Sequence, residues 1–121
     1  MAEALAEQRS REDSAPRLRD EVATLRSLRF VFGDQRTDDR ITAASYVRPI
    51  VVASAPALFE IRCMEPRCDG RHDLTRAVLH ALRRSEGTFI GESPCSGMVR
   101  DVPCDHTLAY TGEATYGTRP A

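Results

Sequence analysis

Lysine and tryptophan are both missing from this sequence of 121 residues, and the first absence is the more informative. All 17 basic residues are arginines, whose planar guanidinium can bond a carboxylate or phosphate through two parallel hydrogen bonds. We favour genome composition over selection for anion binding as the cause of this arginine usage. The 18 acidic residues bring the formal charge to −1, which argues against a protein that binds polyanions over its whole surface. Aromatic residues reach only 6%, so we expect a mainly aliphatic core.

Long apolar segments are also missing. No stretch approaches the roughly 20 apolar residues that a membrane-spanning helix needs. The first ten residues carry Glu3, Glu7 and Arg9 and lack the apolar run of a signal peptide. We therefore expect a cytoplasmic protein without a membrane partner. In a reducing compartment, four cysteines favour a metal site over disulfides.

Residues 1–16 are rich in alanine, glutamate and arginine and offer almost no large apolar side chains. Such a segment predicts a flexible or frayed arm, because a helix formed there would have little to bury. A helical spacing follows, in which Leu18, Val22 and Leu25 recur four and three residues apart. Residues 17–26 therefore predict a short amphipathic helix.

The pattern then changes to the alternation that is typical of strands. Residues 28–32 predict one strand, and the polar segment 33–40 predicts the loop that follows it. A second strand is predicted within residues 41–54. Pro49 places this strand at a sheet edge or bends it, because proline lacks the amide that a central strand must donate. A third strand, over residues 58–61, leads into the first cysteine.

The clearest helical pattern lies between the cysteine pairs, over residues 73–85. Asp73 is predicted to cap its start and Gly87 to terminate it. Its apolar stripe consists of Leu74, Ala77, Val78, Ala81 and Leu82. A strand is predicted to begin at residue 88, and a final strand over residues 107–116.

The four cysteines form two pairs, one on each side of the predicted helix. Their spacing is C-x4-C for Cys63 and Cys68, then 26 residues, then C-x8-C for Cys95 and Cys104. Proline and glycine in both stretches supply the turn chemistry that brings two ligands of one loop to the same ion. Zinc is bound tetrahedrally by thiolates at roughly 2.3 Å, so two strand-end loops that face each other would complete the site. We therefore predict one zinc ion held by all four cysteines.

With this arrangement, residues 58–116 resemble a zinc ribbon or a related two-knuckle zinc-binding module with a helix inserted between its halves. The resemblance implies a structural four-cysteine site, mapped onto Cys63, Cys68, Cys95 and Cys104, and no enzyme activity. Neither pair keeps the usual C-x2-C spacing of a knuckle, so the local geometry of each loop departs from the family pattern.

Two alternatives to the all-cysteine site stay open. His72 lies four residues after Cys68 and His106 two residues after Cys104, so either histidine could replace a cysteine ligand. The cysteines could also be free of metal. Disulfides within each pair would require an exported protein.

The sequence thus predicts an α+β fold, a small antiparallel sheet of four or five strands with one main helix packed on it, clamped by zinc. We divide the chain into an arm at residues 1–16, a single zinc-stabilised domain at residues 17–116 and a tail at residues 117–121.

The predicted function is that of a non-catalytic zinc-binding module that binds a protein partner as an adaptor. Four cysteine ligands leave no open position for substrate, and no glycine-rich phosphate loop or paired-histidine protease motif occurs. One alternative is a nucleic-acid-associated factor that uses the basic segment from Arg62 to Arg84. Another is a thiol redox or metal-sensing protein. The candidate partner-binding residues, called here the helix arginines, are Arg76, Arg83 and Arg84.

Overall fold

The computed structural model describes residues 2–36, 39–63, 65 and 67–117. Within these ranges the chain forms helices and strands that alternate irregularly. The helices are α1 (Ala2–Ser14), α2 (Leu18–Glu21) and α3 (Thr75–Arg83). The strands are β1 (Leu25–Arg36), β2 (Asp39–Ile50), β3 (Glu60–Arg62), β4 (Arg71–Asp73), β5 (Thr88–Pro94), β6 (Met98–Val99), β7 (Val102–Pro103) and β8 (His106–Tyr116).

Four of the strands form one antiparallel sheet in the order β2-β1-β8-β5. Two short antiparallel ribbons, β3–β4 and β6–β7, complete the strand content of the described residues. The predicted α+β class and antiparallel sheet are therefore confirmed. Among the helices of the described ranges, none combines the length and apolarity that a membrane crossing demands.

The core lies on one face of this sheet, as the alternation in β1 predicted. Leu28, Phe30 and Phe32 are all buried, whereas Arg29 between them is exposed. Aliphatic residues are the more numerous in the core, but the chain's four phenylalanines are all buried in it. The ring of Phe30 lies 5.3 Å from that of Phe32 and between 5.7 and 6.4 Å from three further aromatic rings. The scarce aromatic residues thus form the centre of the core.

Strand β1 is longer than predicted at both ends. It begins at Leu25, so the predicted helix over residues 17–26 is reduced to α2, although Leu18, Val22 and Leu25 are all buried. Strands β1 and β2 also extend into the segment 33–40, which makes the predicted polar loop wrong, and residues 37–38 lie outside the described residues. The alternating pattern weakens there, but antiparallel pairing with β8 continues to Arg36.

Pro49 lies in β2, at the edge of the sheet, so the edge position predicted for it is confirmed. The third predicted strand appears as β3, which pairs only with β4 and stands apart from the main sheet. The strand predicted at residue 88 is β5, and the final predicted strand is β8.

Helix α3 packs its apolar face on the sheet, within the predicted span. Val78 and Leu82 are fully buried, as the stripe predicted. The stripe is wrong at Ala77, which is exposed, while Leu79 is buried. Asp73 lies in β4 rather than at the cap position, yet its carboxylate accepts the amide of Thr75 at 3.1 Å, so it still satisfies a free helix donor.

Helix α3 ends through Ser85, and the prediction that Gly87 terminates it is wrong. Ser85 has a φ of 57°, the left-handed conformation that usually selects glycine at this position. The amide of Glu86 donates to the carbonyl of Ala81 at 3.1 Å, and the amide of Ser85 to the carbonyl of Leu82 at 3.0 Å. These two bonds are those of a Schellman motif.

The segment predicted as an arm contains α1, which contacts the rest of the fold through charged side chains. The guanidinium of Arg11 donates to both carboxylate oxygens of Glu60, at 2.8 and 2.9 Å. Arg71 lies 3.6 Å from the same carboxylate. The division into arm, domain and tail, including fraying of residues 1–16, stays a prediction.

Candidate metal centre

The fold brings the sulfur atoms of Cys63, Cys68, Cys95 and Cys104 to one place, with every pair within 4.8 Å. The sulfurs of Cys63 and Cys104 are 3.7 Å apart, and those of Cys68 and Cys95 are 3.5 Å apart. Four sulfurs at roughly 2.3 Å from a central tetrahedral ion would be separated by about 3.8 Å. The cluster could therefore hold a metal ion.

All four cysteines are free, and the two sulfur–sulfur distances given above each join one cysteine loop to the other. They exceed the roughly 2.05 Å of a disulfide bond by more than an ångström. The disulfides considered from the sequence, which would have joined the cysteines within each pair, are therefore absent from this structure.

Two hairpin ends carry the cysteines. The first cysteine loop, residues 63–70, joins β3 to β4, and the amide of Cys63 donates to the carbonyl of Gly70 at 3.1 Å. The second cysteine loop, residues 95–104, follows β5 and ends just before β8, and the amide of Cys95 donates to the carbonyl of His106 at 2.9 Å. Each loop is thus closed by the pairing of its own strands.

Each sulfur accepts a hydrogen bond from the backbone amide two residues further along the chain. The amide of Gly70 lies 3.2 Å from the sulfur of Cys68, and that of Gly97 lies 3.3 Å from the sulfur of Cys95. The amides of Glu65 and His106 do the same for the first and last cysteines. Such donors favour the thiolate, which is the form that binds a metal.

The pKa values of the thiols reflect a balance between burial and these donors. Burial raises the pKa of Cys63, and it raises the pKa of Cys104 to about 11. Burial opposes ionisation of Cys68 as well, but the Gly70 amide and the neighbouring thiols outweigh it, and the pKa of Cys68 is lowered. A metal ion that binds here must therefore displace protons from some of its ligands.

The two cysteine loops cross with their backbones in contact, at Gly70 and Gly97. A methyl group built on Gly97 would lie 2.5 Å from the Cα and N atoms of Gly70 and 2.7 Å from the sulfur of Cys68. One built on Gly70 would lie 2.6 Å from the sulfur of Cys95. Only glycine at both positions lets the loops approach closely enough for the four sulfurs to converge.

A Cys-x-Gly pattern that occurs once in each loop is the signal that sequence reasoning missed. Cys68 is followed at the second position by Gly70, and Cys95 by Gly97. In both cases the glycine donates to the sulfur and also forms the crossing.

Polar contacts between the loops support the crossing. The carboxylate of Asp69 accepts the amide of Met98 at 3.0 Å. Just beyond the second cysteine loop, the imidazole Nε2 of His106 lies 3.6 Å from the carboxylate of Glu65 in the first loop and 3.8 Å from that of its neighbour Asp105.

The histidines that were alternatives as ligands lie outside the sulfur cluster. His72 is 2% exposed, and its Nδ1 lies 2.9 Å from the hydroxyl of Ser93, a contact that joins β4 to β5. His106 is buried beside the carboxylates named above. Within the described part of the chain, the group that could hold a metal consists of cysteines alone.

The helix arginines lie on the exposed side of α3 and at its end. Arg83 lies 3.3 Å from the carboxylate of Glu21, whereas Arg76 and Arg84 form no ion pair with any described residue. Elsewhere in the basic segment, Arg67 pairs with Glu65 at 3.0 Å. Local acids thus neutralise part of this surface.

Comparison of the chain with family models, with curated proteins and with solved structures gave no match.

Proposed function

We propose that this chain is a non-catalytic zinc-binding domain in which one structural zinc ion joins the two cysteine loops, in the manner of a zinc ribbon. The observation that carries the proposal is the convergence of four cysteine sulfurs within 4.8 Å of one another. Thiolates are the ligands typical of structural zinc, and four of them leave no position for water or substrate.

The surroundings of the cluster also support a structural role. The backbone amides around the sulfurs would offset part of the negative charge that four thiolates bring to one divalent ion. The first cysteine loop joins the strands of the β3–β4 ribbon, which forms a sheet separate from the main one. An ion shared by both loops would therefore fix the β3–β4 ribbon to the end of the β5–β8 hairpin.

Metal analysis of the protein purified under reducing conditions tests the proposal. We expect about one zinc per chain, and we expect the ion to be essential for the fold, because structural zinc contributes roughly 10–16 kcal/mol in small zinc domains. Replacement by cobalt should produce the intense visible absorption of a tetrahedral cobalt–thiolate centre.

Two substitutions distinguish the all-cysteine site from a site with a histidine ligand. Cys104→Ser, which removes one of the four thiolates, should lose about a hundred-fold of the zinc affinity and part of the intensity of the cobalt–thiolate spectrum. His106→Gln, the control two residues away, should keep both, because this imidazole lies against carboxylates. Metal-free protein with an intact fold would contradict the structural role, and loss of the spectrum in His106→Gln would contradict the ligand set.

The proposed role of this domain is to bind a protein partner as an adaptor. The helix arginines are proposed as partner-binding residues, because they are exposed on the side of α3 away from the core. An acidic protein surface is the complementary partner for them. The alternatives are those that the sequence predicted: a nucleic-acid partner, or a redox or metal-sensing role.

A further inference from the structure

A cavity of about 260 Å³ lies on the core face of the sheet, between β1, β2, β3 and the segment 51–59, and no cysteine lines it. Phe30 and Phe32 line it and are each 1% exposed, so the cavity is closed on the side of the sheet. The accessible apolar wall is formed by partly exposed side chains, among them Ile50 and Leu58. The most aromatic part of the core therefore borders an open space.

The size of the cavity suits a small molecule. An apolar cavity of about 150 Å³ can hold benzene, so this one has room for a ring with a short side chain. Ligand sites in proteins are typically concave and mostly apolar, with a few polar groups that orient the ligand. The polar side chains that line this cavity decide which ligand would fit.

One of these polar residues, Glu60, is already paired with arginines. Its carboxylate accepts two hydrogen bonds from Arg11 and lies 3.6 Å from Arg71. A cationic ligand would therefore have to compete with two arginines for this carboxylate.

Arg48 also lines the cavity, and it forms no ion pair or hydrogen bond with any described residue. It pairs with Phe30 in the β1–β2 ladder, so its side chain leaves β2 on the same face of the sheet as the phenylalanine floor. The carboxylate of Glu12, which also lines the cavity, accepts a hydrogen bond from the side-chain amide of Gln8 at 3.2 Å. The guanidinium of Arg48 is thus the charged donor left for a ligand.

We propose that this cavity binds a small carboxylic acid, whose apolar body packs on the partly exposed side chains of Ile50 and Leu58 and whose carboxylate pairs with Arg48. A guanidinium matches the two oxygens of a carboxylate in a planar, bidentate geometry. A doubly charged phosphate fits less well, because the carboxylate of Glu12 lines the same cavity and repels a dianion more strongly than a monoanion.

The test compares two probes that share a phenylpropyl body and carry a charged or a neutral head group: 4-phenylbutyrate and 4-phenylbutanol. Amide and methyl NMR signals of the zinc-loaded full chain are followed while each probe is added up to about 10 mM. This range suits a ligand of about a dozen heavy atoms. We expect the acid to shift the signals of Ile50, Val51 and Ile61, and to bind the wild type about five-fold more tightly than the alcohol.

Arg48→Gln should remove this preference, so that acid and alcohol bind with equal affinity. Arg19→Gln, which removes an exposed arginine that does not line the cavity, should leave the preference unchanged. Ala55 lines the cavity, so the larger side chain of Ala55→Leu should fill part of it and weaken the binding of both probes at least ten-fold. Thermal unfolding and zinc content of each variant show whether its fold is kept.

Three results would overturn the proposal. The first is the absence of saturable shifts with either probe in the wild type. The second is equal affinity of the wild type for the acid and the alcohol. The third is a preference for the acid that is the same in Arg48→Gln as in Arg19→Gln, whether both variants keep it or both lose it.

Discussion

Replacing Gly97 by alanine should damage the metal centre through a single methyl group. That methyl would lie 2.5 Å from backbone atoms of Gly70, whereas ordinary contacts of this kind begin near 3.4 Å. The two cysteine loops would have to separate by about 0.9 Å. Metal–ligand distances tolerate only about 0.2 Å, so at least one sulfur would leave the ion.

The magnitude follows from sharing the zinc-binding free energy among the ligands. Structural zinc sites contribute roughly 10–16 kcal/mol, so the loss of one of four ligands costs about 3 kcal/mol. At 1.4 kcal/mol per factor of ten, zinc affinity should fall about a hundred-fold. The free energy of unfolding of the zinc-loaded protein should fall by a similar amount.

Gly87→Ala is the matched control, because the nearest atom to its added methyl group is 3.9 Å away. Neither glycine has a positive φ, so the two variants differ in available space and not in backbone conformation. We expect Gly87→Ala to keep wild-type zinc affinity and to change stability by no more than about 1 kcal/mol.

Zinc affinity is measured by competition with a chromophoric chelator, and stability by denaturant unfolding of the zinc-loaded protein. If Gly97→Ala binds zinc as tightly as Gly87→Ala, the crossing of the loops does not determine the site.

Three further predictions concern α3. Val78→Asp places a charge at a fully buried position and should lower the free energy of unfolding by about 3 kcal/mol or more, whereas Ala77→Asp, at an exposed position, should change it by less than about 0.5 kcal/mol. Ser85→Gly should raise it by about 1 kcal/mol, because glycine adopts the left-handed conformation without strain. Replacing the helix arginines together by glutamine should leave zinc content and stability unchanged, and wild-type protein should bind an RNA or DNA column weakly; strong, salt-sensitive retention that the triple variant loses would favour the nucleic-acid alternative.

Local patterns sufficed for the elements whose residues face one common core. The alternation of Leu28, Phe30 and Phe32 identified β1, and the stripe around Val78 identified α3. The cysteine spacing correctly indicated that Cys63 and Cys104 approach each other from two loops. These predictions succeeded because burial on one face leaves a period in the sequence.

Features that depend on contacts between distant segments left no such period. Strand β1 continues into the polar segment after Gly33 because β8 offers partners for its backbone, and β2 continues by pairing with β1, whatever the side chains are. The end of α3 was missed for a different, local reason. Ser85 adopts a left-handed conformation that serine rarely adopts, so glycine was the natural but wrong expectation. The crossing at Gly97 depends on the opposite loop, which no local pattern describes.

The position of β8 between β1 and β5 has a consequence for how the protein is made. Strand β1 ends at Arg36, and its central partner begins only at His106. At a synthesis rate of roughly 5–20 residues per second, the ribosome needs about 4–14 s to make the intervening chain. During that time β1 can pair with β2 alone, and a two-stranded hairpin is at best marginally stable. We therefore expect the nascent chain to fold as one unit after β8 emerges. Until then, Phe30 and Phe32 of β1 remain exposed to solvent.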